Sequence, residues 1–392
     1  MIGLRNTWIS LLALAALPAA SLSLAAETGA EQQVERIRQI VLLRQDDPAA
    51  VAHLVQLTSK LSEADGAILF NQIADDFLAA TQHDRAGELL RQLVDQYPNE
   101  PATADGLLQL VRLYASSEVA TSQIRTTGHA PSTTDLATFA LHSARKARAK
   151  NRTLAADPRL TFQCAVAARR SGRPAQSQGF LTPLKHNPRA EPWHGRARAE
   201  AWLLSGRQDD APLRTRQCAK ADVRPVLDGI LDEPFWKSAM GDRAGPPTRY
   251  GFARDKEFFY LAVRCKKFPG TEYAVDNRKR NYDANLSAHD HIELQLDLDR
   301  DYATCFFLAV DHRGWTADRC WMAKDWNPRW FVAARQDQTH WTVEAAIPWT
   351  ELGGTAPPAK EAWAIACQRV APYSQPTQTS FDLLLFEDLT EH

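Results

Sequence analysis

The chain has 392 residues, of which 44% are hydrophobic and 24% are charged, and this length accommodates two domains of ordinary size. The charged fraction, together with 22 prolines and 18 glycines, excludes a wholly disordered chain and a collagen-like or low-complexity architecture. The formal net charge of -1 excludes a protein that binds polyanions through its overall charge.

Residues 1–26 have the pattern of a secretory signal peptide. Arg5 is the single charged residue among them, an apolar run covers residues 8–24, and small side chains follow at the positions that a signal peptidase reads. The apolar run is short for a membrane-spanning helix and contains Pro18, so we expect cleavage rather than anchorage. The sequence therefore predicts an exported protein of the periplasm, the cell envelope or the extracellular space.

Residues 31–207 are predicted to be an all-α domain, because apolar residues recur there with the period of a helix. In one predicted helix Asp84 is the expected N-cap and Pro98 ends the helix. Two units of helices separated by a proline break resemble a tetratricopeptide-repeat array, and an ordinary helical domain fits the same pattern. Either architecture implies contact with another protein rather than chemistry, so we expect a protein partner for this domain.

Residues 208–222 are polar and aperiodic and are predicted to be a linker that a protease would cut. From residue 223 to residue 392 the apolar pattern has a period of two, and eight of the 11 tryptophans follow residue 208. Many short strands without intervening helices predict an antiparallel β-sandwich, so the expected fold is multidomain, α then β. The predicted strands cover residues 258–265, 292–296, 304–310, 315–322, 341–347, 363–369 and 381–386.

The six cysteines have no spacing typical of a zinc cluster. The hairpin predicted for residues 304–322 places Cys305 and Cys320 almost opposite each other. A disulfide between them depends on a register difference of one residue, which also decides the face that each side chain takes. Free buried thiols are the alternative.

Two groups of polar residues have the spacing of metal ligands. His289, His291 and Glu293 alternate along a predicted strand, which would place all three on one face, either as metal ligands or as the lining of a groove. Asp297, Asp299 and Asp301 alternate between two predicted strands. Alternating carboxylates suit a calcium ion, and a solvated acidic turn is the alternative explanation.

The sequence lacks the short motifs of common enzyme classes, GxSxG, HExxH, the P-loop and GxGxxG. Glycoside hydrolysis needs two carboxylates across a cleft. Asp290 and Glu293 are three residues apart on a predicted strand, so we expect them on opposite faces and unable to form such a pair. We therefore expect a protein without catalytic activity, with an undetected glycoside hydrolase as the weakest of the alternatives.

Five segments in the second half resemble the family 9 carbohydrate-binding module. In chain order they read PVLDGILDEPFWKSA, ARDKEFFYLAVRCKK, HDHIELQLDLDRDY, WNPRW and WTVEAAIPWTELG, and they extend over about 170 residues from Val223. The resemblance implies a β-sandwich that binds glycans, is commonly attached to secreted xylan-degrading enzymes and often holds structural calcium.

The resemblance also implies a site in which two tryptophans clamp a terminal sugar with the help of a glutamate and an arginine. The glutamate matches Glu293. The first tryptophan falls on Ser287, the arginine falls on Ala309 and the second tryptophan falls on Phe381. One polar group is therefore retained, one aromatic residue replaces another, and two features of the clamp are lost.

Other residues are candidates to complete a sugar site. Trp326 and Trp330 flank a loop in which an aromatic face is expected to be exposed, and filling the core is the alternative for both. Tyr282 precedes Glu293, and His289 and His291 are expected on the face of Glu293. The sequence thus predicts a non-catalytic protein that recognises a polysaccharide or oligosaccharide of the xylan or cellulose type. The alternative is an envelope scaffold whose sandwich no longer binds sugar.

Overall fold

A computed structural model describes residues 26–43, 49–127, 133–207, 210–241, 247–274, 282–372 and 380–386. The predicted signal peptide lies outside these ranges except for its last residue. The described residues divide into two compact units, one up to Gly66 and the other from Ala67 onward. None of the helices in these ranges is long and apolar enough to cross a membrane.

The first unit is helical. It contains α1 (Ala26–Leu43), α2 (Ala50–Thr58) and the beginning of α3 (Glu63–Ala79), and α1 packs against α2. Helix α3 begins with a capping interaction: the Asp65 backbone N–H donates to the hydroxyl of Ser62 at 3.1 Å, and that hydroxyl donates to the Asp65 carboxylate at 2.6 Å.

The second unit continues with helices that follow the predicted apolar period. They are α4 (His83–Gln96), α5 (Pro101–Ala115), α6 (Ser117–Thr127), α7 (Thr133–Lys150), α8 (Arg152–Ala156), α9 (Pro158–Arg170), α10 (Pro174–Lys185) and α11 (Trp193–Leu204). Helix α4 begins two residues earlier than expected, after Gln82, so Asp84 lies in its first turn instead of at its N-cap. There the carboxylate still favours the helix, because it faces the positive end of the helix dipole. The relation to tetratricopeptide repeats stays a prediction.

A ten-stranded, mostly antiparallel sheet follows the helices and folds into two layers. Its strands are β1 (Thr215–Lys220), β2 (Thr248–Arg254), β3 (Phe258–Lys266), β4 (His291–Asp297), β5 (Phe306–Asp311), β6 (Thr316–Cys320), β7 (Phe331–Gln336), β8 (His340–Pro348), β9 (Glu361–Val370) and β10 (Asp382–Phe386). The order across the sheet is β6-β5-β4-β9-β10-β1-β2-β3-β8-β7. A short helix, α12 (Pro234–Met240), lies between β1 and β2. The predicted order, a helical region and then a sandwich-like β region, is confirmed.

Strand β1 lies within residues 208–222, where the sequence predicted a linker. Its first half pairs in parallel with β10, where Thr215 faces Leu383, and its second half pairs in parallel with β2, where Cys218 faces Phe252. The strand therefore joins the layer β6-β5-β4-β9-β10, here sheet A, to the layer β2-β3-β8-β7, here sheet B. The linker prediction does not hold over these residues, because a short polar strand with little alternation carries no clear period in the sequence.

The hydrophobic core lies between sheets A and B. Alternate residues of each strand point into it, as the period of two requires. Its buried members include Phe259, Leu261, Val263, Ile292, Leu294, Leu296, Phe306, Leu308, Val310, Trp341, Val343, Ile347, Trp363, Ile365, Leu384 and Phe386.

The outer face of sheet A is partly covered by helices α9, α10 and α11. Phe162 and Trp193 of these helices form one apolar cluster with Tyr302 and Ala364. A buried charge network crosses the same contact. Glu200 of α11 accepts from Arg169 of α9, and the Nε of Arg300, which follows β4, lies 2.8 Å from a carboxylate oxygen of Glu200. The second helical segment and the sandwich therefore belong to one compact unit.

The Arg300–Glu200 ion pair generates a prediction about stability. We expect Arg300→Met to lower the free energy of unfolding by about 3 kcal/mol, because Glu200 then loses a partner while its charge stays buried. Arg214→Met is the matched control, since Arg214 is 69% exposed and lies 3.6 Å from Asp382. That variant is expected to change stability by less than about 0.5 kcal/mol. Chemical denaturation of both variants measures the free energy of unfolding. An equal loss of stability in the two variants would show that burial does not make the Arg300–Glu200 pair more important than an exposed pair.

The shared interface also predicts how a cut chain behaves. We expect a chain cleaved between Arg207 and Asp210, at an inserted protease site, to elute as one species in size-exclusion chromatography. The apolar and ionic contacts between the helices and sheet A do not depend on the connecting peptide. Two separate fragments without denaturant would contradict the shared unit and favour independent domains.

Candidate functional site

Strand β4 presents different residues to its two sides. Ile292, Leu294 and Leu296 point into the core. Because side chains alternate along a strand, His291 and Glu293 lie on the outer face of sheet A. The observed register therefore places Glu293 on the face opposite the core.

The carboxylate of Asp290, which precedes β4, forms hydrogen bonds with residues on the core side of the sandwich. It is fully buried and accepts hydrogen bonds from Trp341 Nε1 at 2.7 Å, from the Tyr273 hydroxyl at 2.7 Å and from Arg369 Nε at 2.7 Å. Its carboxylate is thus saturated with structural partners and does not share a cleft with Glu293.

Glu293 is held by two neighbours and keeps access to solvent. Gln368 of β9, its partner across the sheet, donates from Nε2 to the Glu293 carboxylate at 2.7 Å. His291 Nε2 lies 3.6 Å from the other carboxylate oxygen, and the Glu293 side chain remains 24% exposed. The neighbouring His291 imidazole is the largest influence on the pKa of Glu293, which is lowered from its ordinary value.

His291 is the ionisable partner of Glu293. Its Nδ1 lies 2.7 Å from the backbone oxygen of His289. Burial acts to lower the pKa of His291, but the nearby Glu293 carboxylate and the hydrogen bond to this carbonyl outweigh it, so the pKa is raised.

On the outer face of sheet A, Glu293 has a small side chain on one side and polar side chains on the other. Ala309 of β5 lies directly opposite Glu293. On β6, the Arg319 guanidinium lies 3.8 Å from the ring centroid of Phe307, and its charge contributes to the lowered pKa of Glu293. We call His291, Glu293, Gln368 and Arg319 the Glu293 patch. It offers carboxylate, amide and guanidinium groups, which can hydrogen-bond hydroxyl groups.

The positions that the resemblance assigned to a sugar clamp are used differently. Ser287 is exposed and donates its hydroxyl to Asn285 at 2.8 Å. Ala309 is buried beneath residues 284–286. Phe381 is half-buried and packs edge to face against Tyr302, with ring centroids 5.7 Å apart, among the residues that join the helices to sheet A. Its ring therefore already has a structural role there.

Exposure and core filling were both open for Trp326 and Trp330, and the structure places both side chains in the core. Each is only 4% exposed. Trp326 stacks on Phe306 at 4.5 Å between centroids, and Trp330 Nε1 donates to Asp318 at 3.1 Å. The segment that carries them connects β6 to β7, the two edge strands of the layers, so its indoles fill the core at this edge.

Tyr282 and His289 have separate positions. Tyr282 is 54% exposed in the segment before β4. His289 lies in the turn before β4, and its ring is 5.8 Å from the ring of His312. The expectation that His289 shares a strand face with Glu293 is wrong, because β4 begins only at His291.

The sequence left open a disulfide between Cys305 and Cys320 or free thiols, and the structure has all six cysteines free. Cys320 is opposite Phe306 and points into the core. Cys305 comes one residue before Phe306, so its side chain points to the other face of the sheet.

The three aspartates after β4 form part of a buried cluster. Asp297, Asp299 and Asp301 are 0%, 5% and 1% exposed, so the alternative of a solvated acidic turn is wrong. Glu118 of α6, fully buried, joins them, and carboxylate oxygens of Glu118, Asp297 and Asp299 lie within 4.8 Å of one another. In the described part of the chain this is the one group of His, Cys, Asp and Glu residues with that geometry. We call these four residues the acidic cluster.

Backbone donors shape the turn that carries the cluster. Asp297 accepts from the backbone N–H of Tyr302 at 2.6 Å, and Asp301 accepts from the N–H of Thr304 at 2.7 Å. Burial and neighbouring acids raise the pKa values of Glu118 and Asp297 well above the ordinary range, and burial with the charge of Asp299 raises that of Asp301 to about 7. The cluster is therefore a region of high negative potential.

Three of these residues escaped the sequence analysis. Gln368 and Arg319 reach the Glu293 patch through strand register, and no local motif marks them. Glu118 reaches the acidic cluster from a helix about 180 positions earlier in the chain. The available signal in the sequence was an acidic residue at the start of a predicted helix, and such a residue does not identify its partner.

Comparison with known proteins gives likenesses of limited extent. No family model and no curated protein matches the sequence. Among solved structures, a family 9 carbohydrate-binding module from Caldicellulosiruptor kristjanssonii in complex with glucose has 13% identity and a TM-score of 0.32, covering 46% of this chain and 98% of that one. A putative carbohydrate-binding protein from Bacteroides uniformis has 10% identity and a TM-score of 0.32, covering 45% of this chain and 100% of that one.

The His291–Glu293 pair predicts a pH dependence of stability. Because the pKa of His291 is raised, its contribution is complete below its ordinary value of 6.5 and is lost as the pH rises through the folded value. Because the pKa of Glu293 is lowered, its contribution is complete above 4.5 and is lost as the pH falls through the folded value. The pair therefore stabilises the fold most between these two values.

We expect Glu293→Gln to lower the free energy of unfolding by about 1 kcal/mol near pH 5.5 and by less at pH 9. Denaturant titrations at both pH values measure the difference, and NMR titration of His291 should show its pKa fall in the variant. If the pKa of His291 is the same in Glu293→Gln and in the wild type, Glu293 does not raise the pKa of His291 and the prediction is wrong.

Proposed function

We propose that this chain is an exported, non-catalytic glycan-binding protein and that the Glu293 patch contacts the sugar. The observation that carries the proposal is the partly exposed carboxylate of Glu293, fixed between His291 and Gln368 on the outer face of a β-sandwich. A fixed carboxylate accepts hydrogen bonds from sugar hydroxyls without an entropic penalty for its own ordering.

The groups around Glu293 support the same ligand class. Gln368 and Arg319 supply donors beside the carboxylate acceptor, which suits the alternating hydroxyls of a pyranose ring. Tyr282, exposed before β4, is the aromatic candidate to stack on a sugar face. The resemblance of the sequence to family 9 modules favours a glycan of the xylan or cellulose type, and the signal-like first 26 residues favour an exported location.

The second candidate function is an interaction scaffold. It is favoured by the use of Trp326, Trp330 and Phe381 as packing residues, which leaves no pair of exposed tryptophans among the described residues of the sandwich. A groove of about 390 Å³ in the helical segment, lined by Phe139, His142 and Arg145 among others, offers a surface for a protein partner. In this proposal the helices hold the sandwich to another component of the envelope.

Calorimetric titration of the purified chain with xylo-oligosaccharides and cello-oligosaccharides tests the glycan proposal. We expect weak binding that Glu293→Gln reduces by a further factor of about 10 to 100, because a charge-assisted hydrogen bond contributes about 1.5–3 kcal/mol. Circular dichroism verifies that the variant is folded.

Two control variants test whether the loss of sugar binding is specific to Glu293. Ser287→Ala changes the family-matched position that has lost its aromatic residue, and Asp222→Asn removes one carboxylate charge from a side chain that is 82% exposed. Both should bind like the wild type. Equal affinity of Glu293→Gln and wild type would move the site elsewhere, absence of binding at millimolar sugar would favour the scaffold, and release of reducing sugar would favour a hydrolase.

A further inference from the structure

The loop that leads into α12 is fixed on the outer face of sheet B. The Glu344 carboxylate accepts hydrogen bonds from the backbone N–H groups of Gly229 at 2.9 Å and Asp228 at 3.2 Å. The Thr342 hydroxyl donates to the carbonyl oxygen of Gly229 at 2.7 Å. Gly229 has a φ of 79°, and a Cβ at this position would lie 2.8 Å from the Cβ of Arg335. Glycine therefore lets the loop approach β7 closely and stand as a fixed wall on the strands.

A cavity of about 280 Å³ lies between this loop and strands β3, β8 and β7. Thr342 of β8 pairs with Arg264 of β3 on one side and with Arg335 of β7 on the other. Because neighbouring strands are about 4.8 Å apart, the two arginines begin about 10 Å apart on the same face of the sheet. We call this space the arginine cavity, and its lining includes Arg264, Arg335, His340, Thr342 and Ile230.

The two guanidinium groups of the cavity are unsatisfied. Among the residues that the structure describes, the side chains of Arg264 and Arg335 form neither a hydrogen bond nor an ion pair, and both are exposed. Elsewhere in the sandwich, by contrast, Arg313 and Arg369 are each paired with an aspartate. A guanidinium group presents a planar fork of donors that matches the two oxygens of a carboxylate. Two such forks at one cavity are therefore available to an anionic ligand.

Two acidic residues, Asp232 and Asp337, also line the cavity. The Asp337 carboxylate is already used within its own turn, where it accepts from the backbone N–H groups of Thr339 at 2.6 Å and His340 at 2.7 Å. These hydrogen bonds lower the pKa of Asp337 to about 2. Asp232 is exposed, so water and salt screen its charge. Neither carboxylate neutralises the arginines through a direct contact.

Basic groups extend beyond the two arginines. Lys266 of β3 pairs across the sheet with His340 of β8 and is exposed. Burial lowers the pKa of His340, and the charges of Arg264 and Lys266 act in the same direction, against the charge of Asp337. His340 is therefore neutral at pH 7 and can serve as a hydrogen-bonding group, while the positive charge comes from the arginines and the lysine.

We propose that the arginine cavity binds a small ligand that carries a carboxylate, held by Arg264 and Arg335. Its volume lies just below the range that is usual for sites of drug-sized ligands, which suits one sugar ring better than an oxyanion alone. Ile230 offers an apolar contact, and Thr342 and His340 offer polar ones. The choice of a uronic acid unit as the ligand rests on the proposed glycan function. The cavity lies on the outer face of sheet B, so this site is separate from the Glu293 patch on sheet A.

Calorimetric titration of the full chain with sodium glucuronate, glucose and sodium phosphate tests the proposal. We expect glucuronate to bind at least tenfold more tightly than glucose, because glucose lacks the carboxylate that pairs with the guanidinium groups. It should also bind more tightly than phosphate, which is too small to contact the opposite walls of the cavity. Arg264→Gln and Arg335→Gln should each lower the affinity for glucuronate at least tenfold. Arg214→Gln is the matched control, because Arg214 is 69% exposed and lies outside the cavity, and it should bind glucuronate like the wild type.

The outcomes locate any error in the proposal. No binding of glucuronate by the wild type overturns the site, and so does wild-type affinity in both cavity variants when circular dichroism shows them folded. Equal affinity for phosphate and glucuronate overturns the choice of a sugar as the ligand. Binding of glucuronate without binding of neutral xylo-oligosaccharides and cello-oligosaccharides supports the arginine cavity and contradicts the Glu293 patch. The reverse result supports the patch and contradicts the cavity, so the two proposals fail separately.

Discussion

The strict alternation of side chains along strand β4 is the constraint on which the other features depend. Residues 292, 294 and 296 belong to the core, which fixes the register of β4 against β5 and β9. The residues between them must then point outward. That outward row begins with the His291–Glu293 pair and ends at Asp297 in the acidic cluster. One register thus positions both Glu293 and Asp297, the member of the acidic cluster that lies on β4.

The outer face of sheet A serves two purposes at once. Near Ala364 and Leu383 it is the surface on which the helices pack, with Glu200 and Arg300 buried in the contact. Near Glu293 it remains accessible to solvent. The helices therefore limit the area that a ligand can reach, and Phe381, an aromatic residue available to a sandwich by itself, has become part of the internal packing.

The sequence predicted the features that depend on local periodicity. The helices, most strands and the opposite placement of Asp290 and Glu293 follow from patterns of a few residues. Features that depend on contacts between distant segments could not be predicted in this way. The sequence places Trp326 and Trp330 in a loop, but this loop connects the edge strands of the two layers, and there both indoles pack into the core. Glu118 and Asp299 meet across about 180 positions, which no spacing rule describes.

Strand β1 has a consequence for the order in which the molecule can form. It is synthesised directly after α11, but its two neighbours in the sheet come much later, with β2 about 30 residues and β10 about 165 residues further along the chain. Both pairings are parallel, and such long-range pairings form slowly because a large loop must close first. The junction between the two layers is therefore complete only when β10, the last described strand, has been synthesised. Pairing of β10 with β1 then completes the sandwich.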